Sequence, residues 1–380
     1  MGLDWLIFFV FEKNMAPKKR IFSTGTMRTG GTLLLNSLSV HSKISMFNER
    51  VNYFRFFYSQ DSSFSLENVE RMINHYRIRL KHRSGISYDA DAVFKSVSQY
   101  SNVNNAILYD ELMQDLMRPT GKEIWGEYAN LSWRYVPNFL DMFPDGKVIH
   151  ICRDLRGVLA SFKKISYMPD KLYLNAIFNW IDSVNYIEKY KKDISSRSYM
   201  VVKFEDLHAN PEREVRKVCD FLEESFEDIM VQGDKWQNLI DERFTKVNIS
   251  VYTKKKVYGF DKRRNKTWIG ELEPWELALC DHLAGDLMDK MGYEQSSGLY
   301  TECDLDYGMK QLYNQPYLCK TLEQFLKDGE GVDCHPIDPK SPENWSAPGN
   351  GYEKFVDSPA YGKYVDDMEE LEEYLKEKYG

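Results

Sequence analysis

What the chain has little of narrows it first. None of its six cysteines belongs to a C-x-x-C pair, and its seven histidines form no group with them at zinc-ligand spacing. No metal site is therefore expected, since the one adjacency, Cys334-His335, offers two ligands where a closed zinc site needs four. No apolar stretch approaches the roughly 20 residues that cross a bilayer. The longest early run, Trp5 to Phe11, follows Asp4 rather than lysines and reads as part of an N-terminal leader over residues 1–18. Scattered, unpaired cysteines lead us to expect a reducing, cytoplasmic compartment. Four N-x-S/T sequons, at Asn130, Asn248, Asn265 and Asn344, keep a secretory route open.

Arginine is also missing from residues 301–380, where 18 Asp and Glu face 8 Lys. The formal charge of −8 is thus gathered at the end, and residues 1–300, with 42 basic and 40 acidic groups, carry +2. An anionic substrate suits that first part better than the total charge suggests. A nucleic-acid partner is not expected.

The apolar periodicities alternate strand and helix. Lys19 to Thr24 reads as a buried strand, a glycine loop follows, and Thr32 to Leu38 continues as an apolar helix. Lys43 to Phe47 is a plausible return strand. Residues 60–125 give helical patches, Leu66 to Lys81 and Asn105 to Met117, without a fixed register. The turn Asp145-Gly146 leads into a strand over Lys147 to Cys152 and a helix over Leu155 to Lys164. Leu172 to Tyr190 has helical spacing, Ser198 to Phe204 is a third strand unit, and Pro211 and Pro274 open helices as first-turn prolines. Such alternation predicts an α/β fold: a P-loop-like, doubly wound parallel sheet flanked by helices over residues 19–295, followed by an irregular acidic extension over 296–380 that holds one acidic helix at Asp366 to Lys378.

The loop between the first strand and helix poses the chemical question. Gly25 to Thr32 has the G-x-x-x-x-G-x-T spacing of a phosphate cradle, yet Gly31 stands where an NTPase carries its lysine. Backbone N–H groups and the positive end of a helix dipole remain available to an anion. Arg28 sits inside the loop and Thr32 offers a hydroxyl. A phosphate bearing a transferable group needs no metal in such a place. Arg153 leaves the carboxyl end of a strand, where open α/β sheets bind ligands, and Ser161 lies two turns further along the next helix. A ligand crossing the helix flank, such as an adenosine bisphosphate, touches both.

With these residues in place, the chain resembles the sulfotransferases that use 3′-phosphoadenosine 5′-phosphosulfate (PAPS), in particular their bacterial and Golgi-type branch. Met27-Arg28-Thr29-Gly30-Gly31-Thr32-Leu33-Leu34 is similar to that family's P-[RK]-S-G-T-T-L-L loop, which implies that Arg28, Thr29, Gly30, Gly31, Thr32 and Leu33 hold the 5′-phosphosulfate. Arg153 to Ser161 resembles its R-D-P-R-A-V-x-x-S element, which implies a 3′-phosphate on Arg153 and Ser161. Val202 to Leu207 is similar to the R-Y-E-D-L strand end and places Phe204 at the nucleotide. Lys266-Thr267-Trp268-Ile269-Gly270 resembles the late K-W-x-G segment, which adds Lys266 and Trp268. The basic run Lys254-Lys255-Lys256 with Lys262, Arg263, Arg264 and Lys266 would screen the dianion as a lid. The stretch WGEYAN is similar to W-G-D-K-T-P but has Tyr128 at the lysine, so Arg28 and the helix N-terminus carry more of the load.

The resemblance implies transfer of a sulfuryl group from PAPS to a hydroxyl or amine, without a metal, with Arg28 stabilising the leaving phosphate. A base must take the acceptor's proton. Glu49 is the candidate, because a crossover to a parallel strand at Lys43 to Phe47 brings it to the sheet edge that holds the loop, and the family's glutamate lies at this spacing. Glu127 is its rival. Two other readings stay open: a P-loop phosphotransferase using Mg-ATP, and a non-catalytic nucleotide-binding scaffold. The acceptor, whether carbohydrate, tyrosine or small metabolite, is not chosen by the residues. Aromatics at Tyr53, Phe54, Phe56, Phe57, Tyr58 and Trp125 line a pocket or pack a core, and Arg71, Arg77, Arg79, Lys81 and Arg83 make a basic face for an acidic acceptor or a solvated surface.

Overall fold

Five parallel strands form the centre of the molecule. They are β1 (Arg20–Gly25), β2 (Ile44–Asn48), β3 (Ile124–Tyr128), β4 (Lys147–Cys152) and β5 (Tyr199–Lys203), arranged in the order β2-β3-β1-β4-β5. This is a computed structural model, and it describes residues 19–48, 51–58, 63–84, 86, 88–164, 171–241, 259–329, 373, 376 and 377. Parallel strands covered on both faces need apolar or small residues throughout, and β1, β2, β3 and β4 are buried at every position.

The helices in chain order are α1 (Gly31–Ser39), α2 (Tyr53–Phe56), α3 (Leu66–Ser84), α4 (Ala90–Val97), α5 (Asn105–Met117), α6 (Val136–Met142), α7 (Leu155–Lys163), α8 (Asn175–Asp193), α9 (Phe204–Ala209), α10 (Pro211–Leu222), α11 (Pro274–Lys290), α12 (Glu302–Asn314) and α13 (Pro316–Asp328). Strand alternation divides the core in two. Phe22, Phe47, Trp125 and Val148 pack under the helical insert that includes α3, α4 and α5, while Ile21, Met46, Tyr128 and Ile149 pack against α1 and α10. A further cluster joins α7, α8 and α11. Among the described residues no helix is long and apolar enough to cross a membrane.

The strands at 20–25, 44–48, 147–152 and 199–203 and the helices opened by Pro211 and Pro274 lie within a residue or two of where the periodicities put them. The structure differs in two places. The return strand β2 does not pair with β1, because β3 lies between them. Gly126 and Glu127 interrupt the apolar pattern of β3 and hid it in the sequence. The glycine is a packing requirement: a Cβ there would overlap the Met46 sulfur and come within 2.9 Å of the Ile21 Cβ.

The second difference lies after residue 297, where composition suggested an irregular extension and residues 302–328 instead form α12 and α13. Thr301 and Asp304 make a capping box at the start of α12, and Leu312, Leu318 and Leu322 close the α8 and α11 cluster. The acidic helix expected over Asp366 to Lys378 lies outside the described residues apart from Glu373, Lys376 and Glu377, and the leader over 1–18 lies wholly outside them.

With β1 flanked by β3 on one side and β4 on the other, the chain leaves β1 at the point where the strand order reverses. Ligands of open α/β sheets bind there.

Candidate active site

The loop after β1 is shaped by contacts that only glycine permits. A Cβ at Gly25 would overlap the Ile151 carbonyl oxygen, one at Gly30 the Phe204 ring, and one at Gly31 the Tyr128 ring and hydroxyl. Gly30 is left-handed, with φ of 87°, and turns the chain into α1 with no side chain capping the helix. Inside the loop Thr29 is buried and its Oγ1 donates to the Thr26 carbonyl at 2.8 Å, so this hydroxyl braces the turn. Leu33 points into the core. Arg28, Gly30 and Thr32 remain half-buried, which leaves the loop arginine, the backbone at the start of α1 and one hydroxyl accessible to an anion.

Arg28 also occupies the left-handed region, with φ of 70°. For a residue other than glycine that conformation is held by its surroundings. Its Nε donates to the Ser161 Oγ at 2.8 Å, and its carbonyl accepts from the Arg153 Nη1 at 3.0 Å. The loop and the strand end of β4, 125 residues apart in sequence, are thereby joined through the residues singled out in each.

Arg153, 6% exposed, lies with its guanidinium 4.1 Å from the centre of the Phe204 ring, and its Nη2 is 3.4 Å from the Arg264 carbonyl and from Thr267 Oγ1. Gly157 makes room for it, since a Cβ there would stand 2.8 Å from the Arg153 Nε. Three residues on, Arg156 behaves differently. It pairs with Asp154 through two bonds of 3.0 and 2.7 Å, donates to Ser296 Oγ at 2.9 Å and lies 4.1 Å under the Trp268 ring. Asp154 also caps α7 by accepting from the Arg156 N–H.

Beneath this layer, Glu205 accepts from the Asp154 N–H at 3.0 Å and from the Tyr293 hydroxyl at 2.9 Å, and burial holds its carboxyl above the usual range. Burial, helped by the nearby Arg264 and Arg153, pushes the His208 imidazole down to about 3. That keeps it neutral, in accord with its Nδ1 accepting from the Asp261 N–H at 2.8 Å. Neither Arg156, Glu205 nor Tyr293 was singled out in the sequence; the D-x-R spacing was the available signal for the first.

Lys262–Lys266 forms a short 3-10 helix, followed by a turn, across the site. Arg264 offers its carbonyl to Arg153, and Trp268 is half-buried over Arg156. Lys266 is exposed, and Arg263, its side chain 86% exposed, is paired with Asp261 at 2.8 Å. Lys254, Lys255 and Lys256 lie outside the described residues, as does Glu49.

The end of β3 supplies what is seen on the other side of β1. Glu127 is 0% exposed; its Oε1 accepts from the Val51 N–H at 3.0 Å and the Asn52 N–H at 2.6 Å, and its Oε2 from the Tyr109 hydroxyl at 2.6 Å. Burial pushes its carboxyl up to about 7 despite those donors. Fully enclosed, Glu127 anchors the chain just after Glu49. The aromatics Tyr53, Phe54, Phe56, Phe57 and Trp125 are buried in the core and Tyr58 packs against it. Arg71 and Lys81 are exposed on α3 and Arg77 is half-buried; the side chains of Arg79 and Arg83 lie outside the described set. Among the described residues no group of three or more His, Cys, Asp or Glu is placed to hold a metal ion.

Comparison with known proteins follows the same outline. No curated protein matches the chain. Among solved structures, the sulfotransferase domain of the olefin synthase from Synechococcus PCC 7002 superposes with a TM-score of 0.50 at 19% identity, covering 74% of this chain and 97% of that one. The sulfotransferase domain of the curacin biosynthetic pathway gives 0.45 at 17% identity, over 72% and 97%. At these identities the first likeness speaks for the fold alone. The sequence profile described as "Sulfotransferase family" matches residues 20–228, more than half of the chain and all of the sheet with its loop, and on that match the chain belongs to the sulfotransferase family.

Proposed function

We propose that the chain transfers a sulfuryl group from PAPS to a hydroxyl or amine of its acceptor by in-line displacement. The acceptor's oxygen or nitrogen forms the new bond to sulfur, and the bond from sulfur to the bridging phosphate oxygen breaks with its electron pair leaving on the phosphate. The acceptor's proton passes to Glu49, which follows directly on Asn48 at the carboxyl end of β2. The observation that carries this reading is the Arg28, Ser161 and Arg153 contact, which links a lysine-free phosphate loop to a second basic element across the start of α7.

A donor with phosphates at both the 5′ and 3′ positions suits that arrangement. The loop backbone and Arg28 serve the first, Arg153 and Ser161 the second, with Phe204 and Trp268 as flat surfaces nearby. Arg263, Arg264 and Lys266 add positive charge, and no metal is called on. The acceptor is a carbohydrate, a tyrosine or a small metabolite. Free thiols at Cys152, Cys219, Cys280, Cys303 and Cys319 support a reducing compartment.

Calorimetry with adenosine 3′,5′-bisphosphate (PAP), ADP and ATP, each with and without magnesium, tests the donor. Metal-independent preference for PAP is expected. A preference for ATP with magnesium would overturn the reading in favour of phosphotransfer.

A further inference from the structure

The phenol of Tyr128 reaches the phosphate loop itself. Tyr128 ends β3 in register with Ser23 of β1 on one side and Asn48 of β2 on the other. It therefore stands on the sheet edge between the strand that feeds the loop and the strand that leads to Glu49. Its side chain lies on the α1 face, 3% exposed, among Leu33, Leu34 and Ile151. The ring and hydroxyl fill the space in which a side chain at Gly31, the first residue of α1, would begin. Any residue with a Cβ at 31, lysine included, collides with Tyr128, so the two positions are chosen together.

We infer that the Tyr128 hydroxyl is a ligand of the transferring sulfuryl group, donating a hydrogen bond to one of its non-bridging oxygens. The inference rests on the PAPS reading above and assigns to the sulfuryl end a neutral donor in place of a cation. Three features support it. The hydroxyl adjoins the first turn of α1, where backbone N–H groups and the helix dipole already draw an anion. It is a buried polar group, and hydrogen bonds from such groups act in a medium with little competing water. Its strand places it beside β2, which leads to the proposed base.

Binding measurements separate this role from simple packing, and they need no acceptor. Tyr128→Phe keeps the ring over Gly31 and removes only the oxygen. PAP lacks the sulfuryl group that PAPS carries, so the ratio of the two affinities reports on that group alone. We expect Tyr128→Phe to weaken PAPS by about 3- to 10-fold, the span of one hydrogen bond, while PAP changes less than twofold. Equal effects on both ligands, or none, would overturn the assignment while leaving the donor site intact. A wild-type chain that binds neither nucleotide would overturn the donor reading with it. The steric half is tested by Gly31→Ala, expected to lower PAP affinity at least tenfold, and by Gly31→Ala with Tyr128→Ala, expected to restore most of it. Failure of the second change to rescue the first would contradict the pairing.

Discussion

The carboxyl ends of β4 and β3 flank the same loop and are built in opposite ways. At β4 two buried arginines are held by a carboxylate, two aromatic rings and backbone carbonyls. At β3 a buried acid and a phenol are held by backbone N–H groups and a tyrosine, with burial rather than charge setting the acid's behaviour. The difference suits transfer of an anionic group. A donor dianion gains from a fixed positive field, whereas a carboxylate base set among the same cations would have a depressed pKa and take protons poorly. On the proposed reading, segregating charge across β1 would let one sheet edge serve both needs.

Replacing the proposed base breaks this division most severely. Glu49→Gln is expected to lower turnover by about 10²- to 10⁴-fold, the usual contribution of a general base, with PAP affinity nearly unchanged by calorimetry. Next comes Arg156→Ala, which leaves Asp154 buried without its partner; a loss of about 3–5 kcal/mol of stability is expected in urea titration.

Glu127→Gln sharpens the contrast through pH. The native carboxyl titrates near 7, above its reference value of 4.5, so its contribution to stability is full below about pH 4.5 and is lost as pH rises through 7. Stability of the variant should lack that decline, which is on the order of 3 kcal/mol for a shift of this size. A variant whose pH profile matches the wild type would show that another group governs it. Arg153→Ala should leave stability closer to the wild type than Arg156→Ala does and weaken PAP by about 1.5–3 kcal/mol, the worth of a hydrogen bond to a charged group. Arg263→Ala, an exposed group already paired with Asp261, should change PAP affinity least, and only at low salt.

The two edges also differ in how plainly the sequence announces them. The strand from Lys147 to Cys152 is an unbroken buried run after a turn, and Arg153 and Ser161 carry recognisable spacing, so both element and candidate residues could be read. Ile124 to Tyr128 spends two of five positions on a glycine that admits Met46 and a glutamate that holds Val51 and Asn52. Those requirements come from neighbours far along the chain, and local pattern carries no sign of them. The same applies to α12 and α13, whose few core residues, Gly308, Leu312, Leu318, Thr321 and Leu322, are diluted by tyrosine and acid on the outer face. Arg153 and Arg156 look equivalent in a string of letters. Both are 6% exposed, and only the pairing with Asp154 tells Arg156 from Arg153, which is held by backbone carbonyls and the Phe204 ring instead.

Gly308 deserves its place at the closest approach of α12 to α11, where a Cβ would stand 2.8 Å from Leu279 and 3.0 Å from the Trp275 carbonyl. Together with Leu312, Leu318 and Leu322 it seals a cluster that begins with Cys152 and Leu155, immediately before and after Arg153 and Asp154. During synthesis, then, the layer behind the second basic element stays open until about residue 322 has left the ribosome. Domains tend to fold as units once their last packing partner emerges. For this chain, a ribosome stalled before α13 would hold a nascent sheet whose loop and arginine partners are already made, while the apolar cluster behind α7 still lacks Leu318 and Leu322.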